Sequence, residues 1–515
     1  MRKFLYLIGI ISSISFHYIR AQPIALWNKT YGGSSFDIGR SIINSTNGGY
    51  ILAGYTASQD GNIFGARGGN DFWVVKLSNL GDIQWKKNLG GTENDWAVKI
   101  IQTVDGGYFV VGYSGSNNID VSGNHGGLYD GWVVKLNTSG MIEWQKCLGG
   151  SQIDLLLNVI QTSDNGYLVA GYSNSNDGDI AGNHGDFDAL LIKLSSDGSI
   201  EWQKSLGGSA EDDCKSVLET QDGGYLMVGE TRSVDGDVNK LHEDADYWVV
   251  KLSNQGEIEW NTTLGGDNAD IGVDVVISRD SGYLIMGYSG SIDVPNHHGA
   301  FDYYLVKLTN TGSVVWEKAF GGSGPDWARG VILDKNDGYI ITGETESKDG
   351  DIDNSTVGHD IWLIKIDEQG ELVWKKIIGG SKADGSLSIT PSVNNEIVIT
   401  GYSNSTDGDF MGCKNKGKDD LFIIKLTLES SAATSPSNLP LTISPNPSTT
   451  SIYLQGLENE NNISITLSNL LGQTILQKQI SPDEQINVSN LPKGLYLVSA
   501  IGENNKTYLG KFEKL

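Results

Sequence analysis

The sequence predicts an all-β fold, and three observations support that prediction: a long repeat, abundant glycine and scarce proline. A tryptophan shortly before a Gly-Gly pair recurs every 56 to 59 residues. Glycine accounts for 67 of the 515 residues and proline for only 10, as is typical of many short strands joined by tight turns. The tryptophans that mark the seven units are Trp27, Trp85, Trp144, Trp202, Trp260, Trp316 and Trp374.

Each unit is predicted to hold four short strands. In the second unit, VKIIQT and YFVVGYS flank Val-Asp-Gly-Gly, while GWVVKL and MIEWQKCL flank Asn-Thr-Ser-Gly. Short connections rich in Asp and Gly are a strong signal of a β-hairpin. A long loop separates the two hairpins. Seven such units predict a seven-bladed β-propeller with four-stranded blades over residues 23–427.

The two ends of the array predict how the ring closes. An isolated fourth strand, ALWNKTY, precedes the first complete unit, whereas the last unit stops at its third strand, DLFIIKL. We therefore expect the N-terminal strand to close the last blade, because that pairing removes exposed strand edges. The fourth-strand pattern GxIxWxKxLGG resembles the tryptophan-docking repeat of pyrroloquinoline quinone dehydrogenase propellers, which implies shared packing and no particular cofactor.

The chain termini carry predicted targeting segments. Arg2 and Lys3 precede an apolar run and a polar stretch that ends near Ala21, the organisation of a secretory signal peptide, which we place at residues 1–22. This apolar run is too short to span a bilayer, so no transmembrane segment is expected. A linker is predicted at 428–440 and a small β-sandwich at 441–515.

The C-terminal segment also contains a specific set of short motifs. They are Pro445-Asn446-Pro447, the Leu471-Gly472 turn, Leu491-Pro492, Gly494-Leu495-Tyr496 and a final lysine-bearing strand. This set resembles the type A C-terminal sorting domain of the type IX secretion system of Bacteroidetes. The resemblance implies that residues 441–515 engage the secretion machinery, and that the protein is secreted or held at the cell surface in association with the outer membrane.

The acidic composition excludes some classes of partner. A formal charge of -26 repels nucleic-acid phosphates, so we expect no nucleic-acid partner.

The three cysteines, Cys147, Cys214 and Cys413, are far apart, which excludes a disulfide framework. We expect a monomer.

An aspartate stands four residues after the second glycine of each Gly-Gly pair. If the first strand is innermost, seven carboxylates would lie near one mouth of the central channel, where they could hold a cation. Alternatively, each carboxylate accepts hydrogen bonds from the turn between blades. We favour this structural role, because a residue needed in every blade is best explained by blade geometry. The seven are Asp37, Asp95, Asp154, Asp212, Asp270, Asp326 and Asp384.

The long loops supply the candidate metal ligands. Asp177, Asp179, Asp186 and Asp188 lie within NDGDIAGNHGDFD, an oxygen-rich loop that could hold calcium, the one cofactor the sequence suggests. The loop lacks the spacing of an EF-hand, and turn formation also accounts for its composition.

Function is predicted to lie on the face that carries the long loops. Trp96 and Trp327 are the candidate ligand-binding aromatics there, with packing between blades as the alternative role. The leading hypothesis is a secreted or cell-surface binding or scaffold protein, exported by the type IX system, whose ligand is a glycan or a protein. One alternative is an extracellular enzyme, either a polysaccharide lyase or hydrolase or a quinone-dependent dehydrogenase. Another is a structural matrix component without a ligand.

Overall fold

The computed structural model describes two stretches of the chain. The first is 22–428 without 240, 241, 243, 354, 356, 357 and 414, and the second is 439–515 without 456, 458–462, 470–473, 482, 483 and 502–506. The predicted signal peptide up to residue 21, most of the linker and the Leu471-Gly472 turn lie outside the described residues. The chain divides into two compact units, Met1–Leu428 and Glu429–Leu515.

Seven four-stranded antiparallel sheets in the first unit confirm the seven-bladed propeller. In blades 1 to 6 the strands are hydrogen-bonded in chain order. Blades 1 and 2 comprise β2 (Asp37–Asn44), β3 (Tyr50–Thr56), β4 (Asp71–Leu77), β5 (Ile83–Leu89), β6 (Asp95–Gln102), β7 (Tyr108–Ser114), β8 (Asp130–Leu136) and β9 (Ile142–Leu148). Blades 3 and 4 comprise β10 (Asp154–Gln161), β11 (Tyr167–Ser173), β12 (Asp188–Leu194), β13 (Ile200–Leu206), β14 (Ser216–Glu219), β15 (Tyr225–Thr231), β16 (Asp246–Leu252) and β17 (Ile258–Leu264). Blades 5 and 6 comprise β18 (Asp270–Ile277), β19 (Tyr283–Ser289), β20 (Asp302–Leu308), β21 (Val314–Phe320), β22 (Asp326–Leu333), β23 (Tyr339–Thr345), β24 (Asp360–Ile366) and β25 (Leu372–Ile378).

Blade 7 joins the two ends of the array, as predicted. Its sheet has the order β26 (Asp384–Pro391), β27 (Glu396–Ser403), β28 (Asp420–Thr427) and β1 (Ile24–Tyr31). The pairing of β1 with β28 is antiparallel. A short 3-10 helix, Gly408–Phe410, lies in the long loop of this blade. Strand pairing between the first and last elements therefore closes the ring.

The repeated tryptophans pack between blades, onto the glycine of a neighbouring hairpin. A Cβ added at Gly140, whose φ is +72°, would lie 2.8 Å from the Trp85 ring. The same approach joins Trp27 to Gly81, Trp144 to Gly198, Trp202 to Gly256, Trp260 to Gly312 and Trp316 to Gly370. Only glycine combines this backbone conformation with so close a contact, which explains the glycine in the turn between the third and fourth strands.

The core of the propeller lies between adjacent blades. Third strands such as β8 are buried along their whole length, as expected for strands covered on both faces. One apolar cluster combines Ile51 and Val74 of blade 1 with Ile100, Tyr108 and Trp132 of blade 2. Each blade is thus stabilised by its neighbours.

The second unit consists of two small sheets over one apolar core. Ile452 and Leu454 of the smaller sheet share that core with Ile465 and Val498 of the larger. The strands are β29 (Leu439–Pro440), β30 (Thr442–Ser444), β31 (Ser451–Gln455), β32 (Ile463–Asn469), β33 (Thr474–Ile480), β34 (Ile486–Asn487), β35 (Gly494–Ile501) and β36 (Thr507–Lys514). The predicted small C-terminal β-domain is therefore present.

Candidate functional site

The first strands of the blades are innermost and surround a central channel. Each first strand contacts the first strands of its neighbours, as β2 does with β6 and β26. Residues from all seven blades line a cavity of about 500 Å³ there. The starts of the first and third strands and the ends of the second and fourth lie on the face that carries the long loops, because the strands within each blade are antiparallel.

The seven repeated aspartates lie at the start of the first strands, and all are fully buried. In blade 3, Asp154 Oδ2 accepts hydrogen bonds from the Gly150 N–H at 2.7 Å and from Ser175 Oγ at 3.0 Å. Ser173 Oγ donates to its other oxygen. The same bond from the Gly-Gly amide reaches Asp37, Asp95, Asp212, Asp270, Asp326 and Asp384. These contacts favour the structural interpretation, because the carboxylates are occupied by their own blades.

Each of these aspartates also lies beside the third-strand aspartate of the preceding blade. Asp71 faces Asp95 in this way, and Asp302 faces Asp326. Burial raises the pKa of Asp71 to about 6 and that of Asp326 to about 7, and the neighbouring carboxylate adds to both shifts. The inner Oδ1 atoms of Asp71 and Asp302 have no hydrogen-bond partner among the described residues. The blade boundaries therefore contain paired carboxyl groups that favour protonation.

Sequence reasoning missed the residue, in most blades a basic one, that lies four or five positions before the third-strand aspartate and hydrogen-bonds to it. The backbone N–H of His184 donates to Asp188 Oδ2 at 2.9 Å, and the His184 ring Nδ1 lies 2.7 Å from the same atom. Arg67, His242, His298 and Lys416 make the same backbone contact, each four residues before its aspartate. His125 makes the same contact from five residues before Asp130. This nearly constant spacing was the available signal.

The structure does not bring the predicted calcium ligands together as one set. Asp177 Oδ1 accepts a hydrogen bond from the Ser151 N–H at 2.7 Å, Asp186 is exposed and Asp188 is buried against His184. Asp179 Oδ2 lies 3.7 Å from His125 Nε2. Within the described ranges, no group of three or more His, Cys, Asp or Glu side chains is arranged to hold a metal ion.

The two candidate tryptophans lie in different surroundings. Trp96 packs between blades, with ring centroids 6.2 Å from Tyr55, 5.1 Å from Tyr113 and 5.3 Å from Tyr129. Trp327 stacks on His359 at 5.6 Å with an interplanar angle of 19°. Both rings are half-buried. Only Trp96 belongs to a larger aromatic cluster.

A groove of about 320 Å³ lies beside that cluster, on the face of the long loops. Its aromatic part consists of Tyr129 from blade 2 with Tyr172 and Phe187 from blade 3. The rings of Tyr172 and Phe187 meet edge to face at 5.3 Å. Glu211 and Glu230 supply carboxylates on the blade 4 side. We refer to this feature as the aromatic groove.

One atom of the aromatic groove stands out. Glu230 Oε2 is buried and has no hydrogen-bond partner among the described residues. Burial raises the pKa of Glu230, and the nearby Lys215 ammonium opposes that shift. A buried acceptor without a partner is costly, and a donor that reached it would relieve that cost. The substitution of Glu for the usual tyrosine in YLMVGET was the sequence signal.

Comparison with known proteins finds a distant relative of this chain. Regulatory protein FlaEY of Caulobacter vibrioides (strain ATCC 19089 / CIP 103742 / CB 15) is 23% identical over an alignment of 382 residues, which covers 65% of this chain. The chain spans only 39% of that relative's length.

Two solved structures show low similarity to this chain. Puromycin hydrolase has a TM-score of 0.40 and 12% identity, and the match covers 95% of this chain and 60% of that one. The PQQ-bound aldose sugar dehydrogenase of Streptomyces coelicolor has a TM-score of 0.30 and 8% identity. The match covers 79% of this chain and 99% of that one. At these scores neither likeness bears on function, and the fold assignment rests on the seven sheets.

The C-terminal unit matches a family model. Residues 442–512 fit the secretion system C-terminal sorting domain. No helix among the described residues is long and apolar enough to cross a membrane. Residues 442–512 are therefore a type IX secretion system C-terminal sorting domain, and the chain is a secreted or cell-surface protein built on a seven-bladed propeller.

Proposed function

We propose that this protein is a secreted or surface-displayed glycan-binding propeller, and that the aromatic groove is its binding site. The observation that carries the proposal is that three aromatic rings and Glu230 line one groove, and that Glu230 Oε2 lacks a hydrogen-bond partner among the described residues. Sugar rings present apolar C–H faces that stack on aromatic side chains and hydroxyl groups that donate hydrogen bonds. The groove supplies a partner for each.

The dimensions and position of the groove fit such a ligand. A volume of about 320 Å³ is at the lower end of the range of roughly 300–1,000 Å³ for small-ligand sites. Leu128 at the rim is 59% exposed, so a longer chain could continue across the face. The groove therefore suits a short segment of a polymeric glycan.

The charge of the groove favours a neutral glycan over an acidic one. Glu211, Asp213 and Glu230 all line it, and three carboxylates repel a uronate or a sulfate. The Lys215 ammonium contacts Asp213 and lies 3.9 Å from Glu230, so it is already engaged.

Blade 5 provides a matched control for mutagenesis. Phe301 meets Tyr288 edge to face at 5.6 Å, as Phe187 meets Tyr172, but Phe301 lies outside the aromatic groove. The secreted chain and its Phe187→Ala, Phe301→Ala and Glu230→Gln variants should be screened on a glycan array, and the hits titrated by calorimetry.

We expect Phe187→Ala to weaken binding of a neutral glycan by at least about tenfold, since loss of one stacked ring costs about 1.4 kcal/mol or more. Glu230→Gln should weaken binding less, because the amide keeps an acceptor. Phe301→Ala should bind like the wild type. Absence of any glycan bound by the wild-type protein, or equal binding by the Phe187 and Phe301 variants, would refute the proposal and favour a protein ligand or a matrix role.

A further inference from the structure

The central channel carries one projecting side chain from the first strand of each blade. In six blades this residue occupies a β-bulge, where the pairing register shifts, as at Arg40 between Gly39 and Ser41. A bulge inserts one residue and re-aims its side chain. All seven residues line the 500 Å³ cavity: Arg40, Val98, Leu157, Lys215, Val273, Arg329 and Leu387. We call these the wall residues.

The type of each wall residue correlates with the type of the second-to-last residue of the second strand in the same blade. We call that residue its second-strand partner. Where the wall residue is Val or Leu, that partner is a tyrosine: Tyr113, Tyr172, Tyr288 and Tyr402. Where the wall residue is Lys215 or Arg329, the partner is a glutamate, Glu230 or Glu344. The Arg329 Nε lies 3.1 Å from Glu344 Oε1. Blades 4 and 6 therefore provide the counter-charge for their own cations.

Blade 1 departs from this correlation. Its wall residue is Arg40, yet its second-strand partner is Tyr55. The Arg40 charge is close enough to oppose the rise that burial causes in the pKa of both Tyr55 and Tyr113. Arg40 is exposed to the channel, and the described residues offer it no ion-pair partner. A cation is thus present without the glutamate that accompanies it elsewhere.

Blade 2 contributes a second cation of the same kind. Lys99 follows the bulge of β6, where the other blades carry Ser, Asn, Asp or Gly. The serines at this position link blades: Ser41 Oγ accepts from the Ile100 N–H at 3.3 Å, and Ser216 Oγ donates to Asp274 at 2.8 Å. Lys99 lines the same cavity as Arg40, and its ammonium makes no hydrogen bond or ion pair with a described residue.

We propose that Arg40 and Lys99 are the anion-binding end of a second site, within the channel, for a small organic anion with a carboxylate, sulfonate or phosphate head and an apolar body. The guanidinium of Arg40 presents paired donors to such a head, and Lys99 adds a second positive charge. Ile38, Val98 and Leu387 provide apolar wall for the body. Two like charges that face one cavity repel each other, and an anion between them removes that cost.

This site differs from the aromatic groove in chemistry and in place. Carboxylates line the groove. In the channel the lining carboxylates, Asp274 and Glu344, belong to blades 5 and 6, whereas Arg40 and Lys99 lie on the blade 1 and blade 2 side. Within a chain of net charge -26, organic anions would be repelled from most of the surface. Lys215 and Arg329 also line the cavity, but they are paired with Asp213 and Glu344. The attraction of the proposed site for anions therefore rests on Arg40 and Lys99.

The test uses 2-naphthoate as the probe and the neutral 2-naphthamide as its comparison, each titrated calorimetrically into the secreted full chain. The variants are Arg40→Gln, Lys99→Gln and the double variant. Lys146→Gln is the matched control, because Lys146 is a half-buried lysine of a fourth strand outside the channel. Arg40→Lys keeps the charge and serves as a folding-competent alternative if Arg40→Gln lowers the melting temperature.

The wild type should bind 2-naphthoate, and replacing its carboxylate by the amide should weaken binding by about tenfold or more. Each single variant should weaken naphthoate binding severalfold and the double variant more than about tenfold, while Lys146→Gln and Phe187→Ala bind like the wild type. Failure of the wild type to bind naphthoate, equal binding of the amide, or unchanged affinity in the double variant would overturn the proposal. Because Phe187→Ala tests only the groove, failure of either site can be recognised separately.

Discussion

The blade framework and the channel wall differ in how strictly they repeat. In the framework, an aspartate such as Asp154 recurs in every blade, fully buried and hydrogen-bonded to its own turn. The wall position instead varies from Arg40 to Val98 to Leu157. Residues that ring geometry requires must recur, whereas a ligand contacts only some blades. The proposed anion-binding residues Arg40 and Lys99 are therefore found where the repeat is broken.

The largest expected effect comes from breaking the framework. Asp154→Ala leaves the Gly150 amide and the hydroxyls of Ser173 and Ser175 without their acceptor. Unsatisfied buried donors cost about 1–3 kcal/mol each, so the free energy of unfolding should fall by roughly 3 kcal/mol or more. Urea denaturation measures this change.

Asp186→Ala is the matched control, because Asp186 is exposed in the long loop of the same blade. It should change the free energy of unfolding by less than about 0.5 kcal/mol. Similar values for the two variants would remove the distinction between framework and variable positions.

Substituting a glycine on which a repeated tryptophan packs tests how much that contact between blades contributes to stability. Gly140→Ala should destabilise the propeller by about 2–3 kcal/mol, through its positive φ and its contact with Trp85. Gly123 also has a positive φ, of +88°, but a Cβ there would meet nothing within 4 Å. Gly123→Ala should therefore cost only about 1 kcal/mol. Equal losses in thermal denaturation would show that the tryptophan contact contributes little.

The paired aspartates predict how stability depends on pH. Burial raises the pKa of Asp71, Asp270 and Asp420 to about 6 and that of Asp326 to about 7. The folded state therefore binds more protons than the unfolded state between about pH 4 and 7. Their stabilising contribution is complete below about pH 4 and is lost as the pH rises through 6 to 7. The melting temperature should be higher at pH 5 than at pH 8.

Asp302→Asn isolates one such pair. It removes the charge that helps to raise the pKa of Asp326, so at pH 8 the free energy of unfolding should increase by about 1 kcal/mol. The difference in stability between pH 5 and pH 8 should also shrink. A variant that is less stable than the wild type at pH 8 would contradict this account of the pair.

Chelation should have the smallest effect. Asp177 already binds the Ser151 amide and Asp188 binds His184, so EDTA is expected to shift the melting temperature by less than about 1 °C. A clear loss of stability that calcium restores would instead establish a metal role for this loop.

Much of the architecture was predictable because its signals are local. The fourth strands, the hairpin turns and the displaced N-terminal strand were all recognisable from short segments, and the pairing of β1 with β28 agrees with them. The site was less predictable. Trp96 was recognisable as an aromatic at the right face, but its packing against Tyr55 depends on a neighbouring blade.

The amino-acid sequence by itself determined the number of blades, the closure of the ring and the C-terminal sorting domain, because strand periodicity, turn chemistry and short motifs act over a few residues. Only the tertiary structure decided which side chains meet across blades. The groove joins Tyr129, Phe187 and Glu230 from three blades, and the channel brings Arg40 and Lys99 into one cavity. These contacts depend on how distant strands pack around a common axis, which no local pattern encodes.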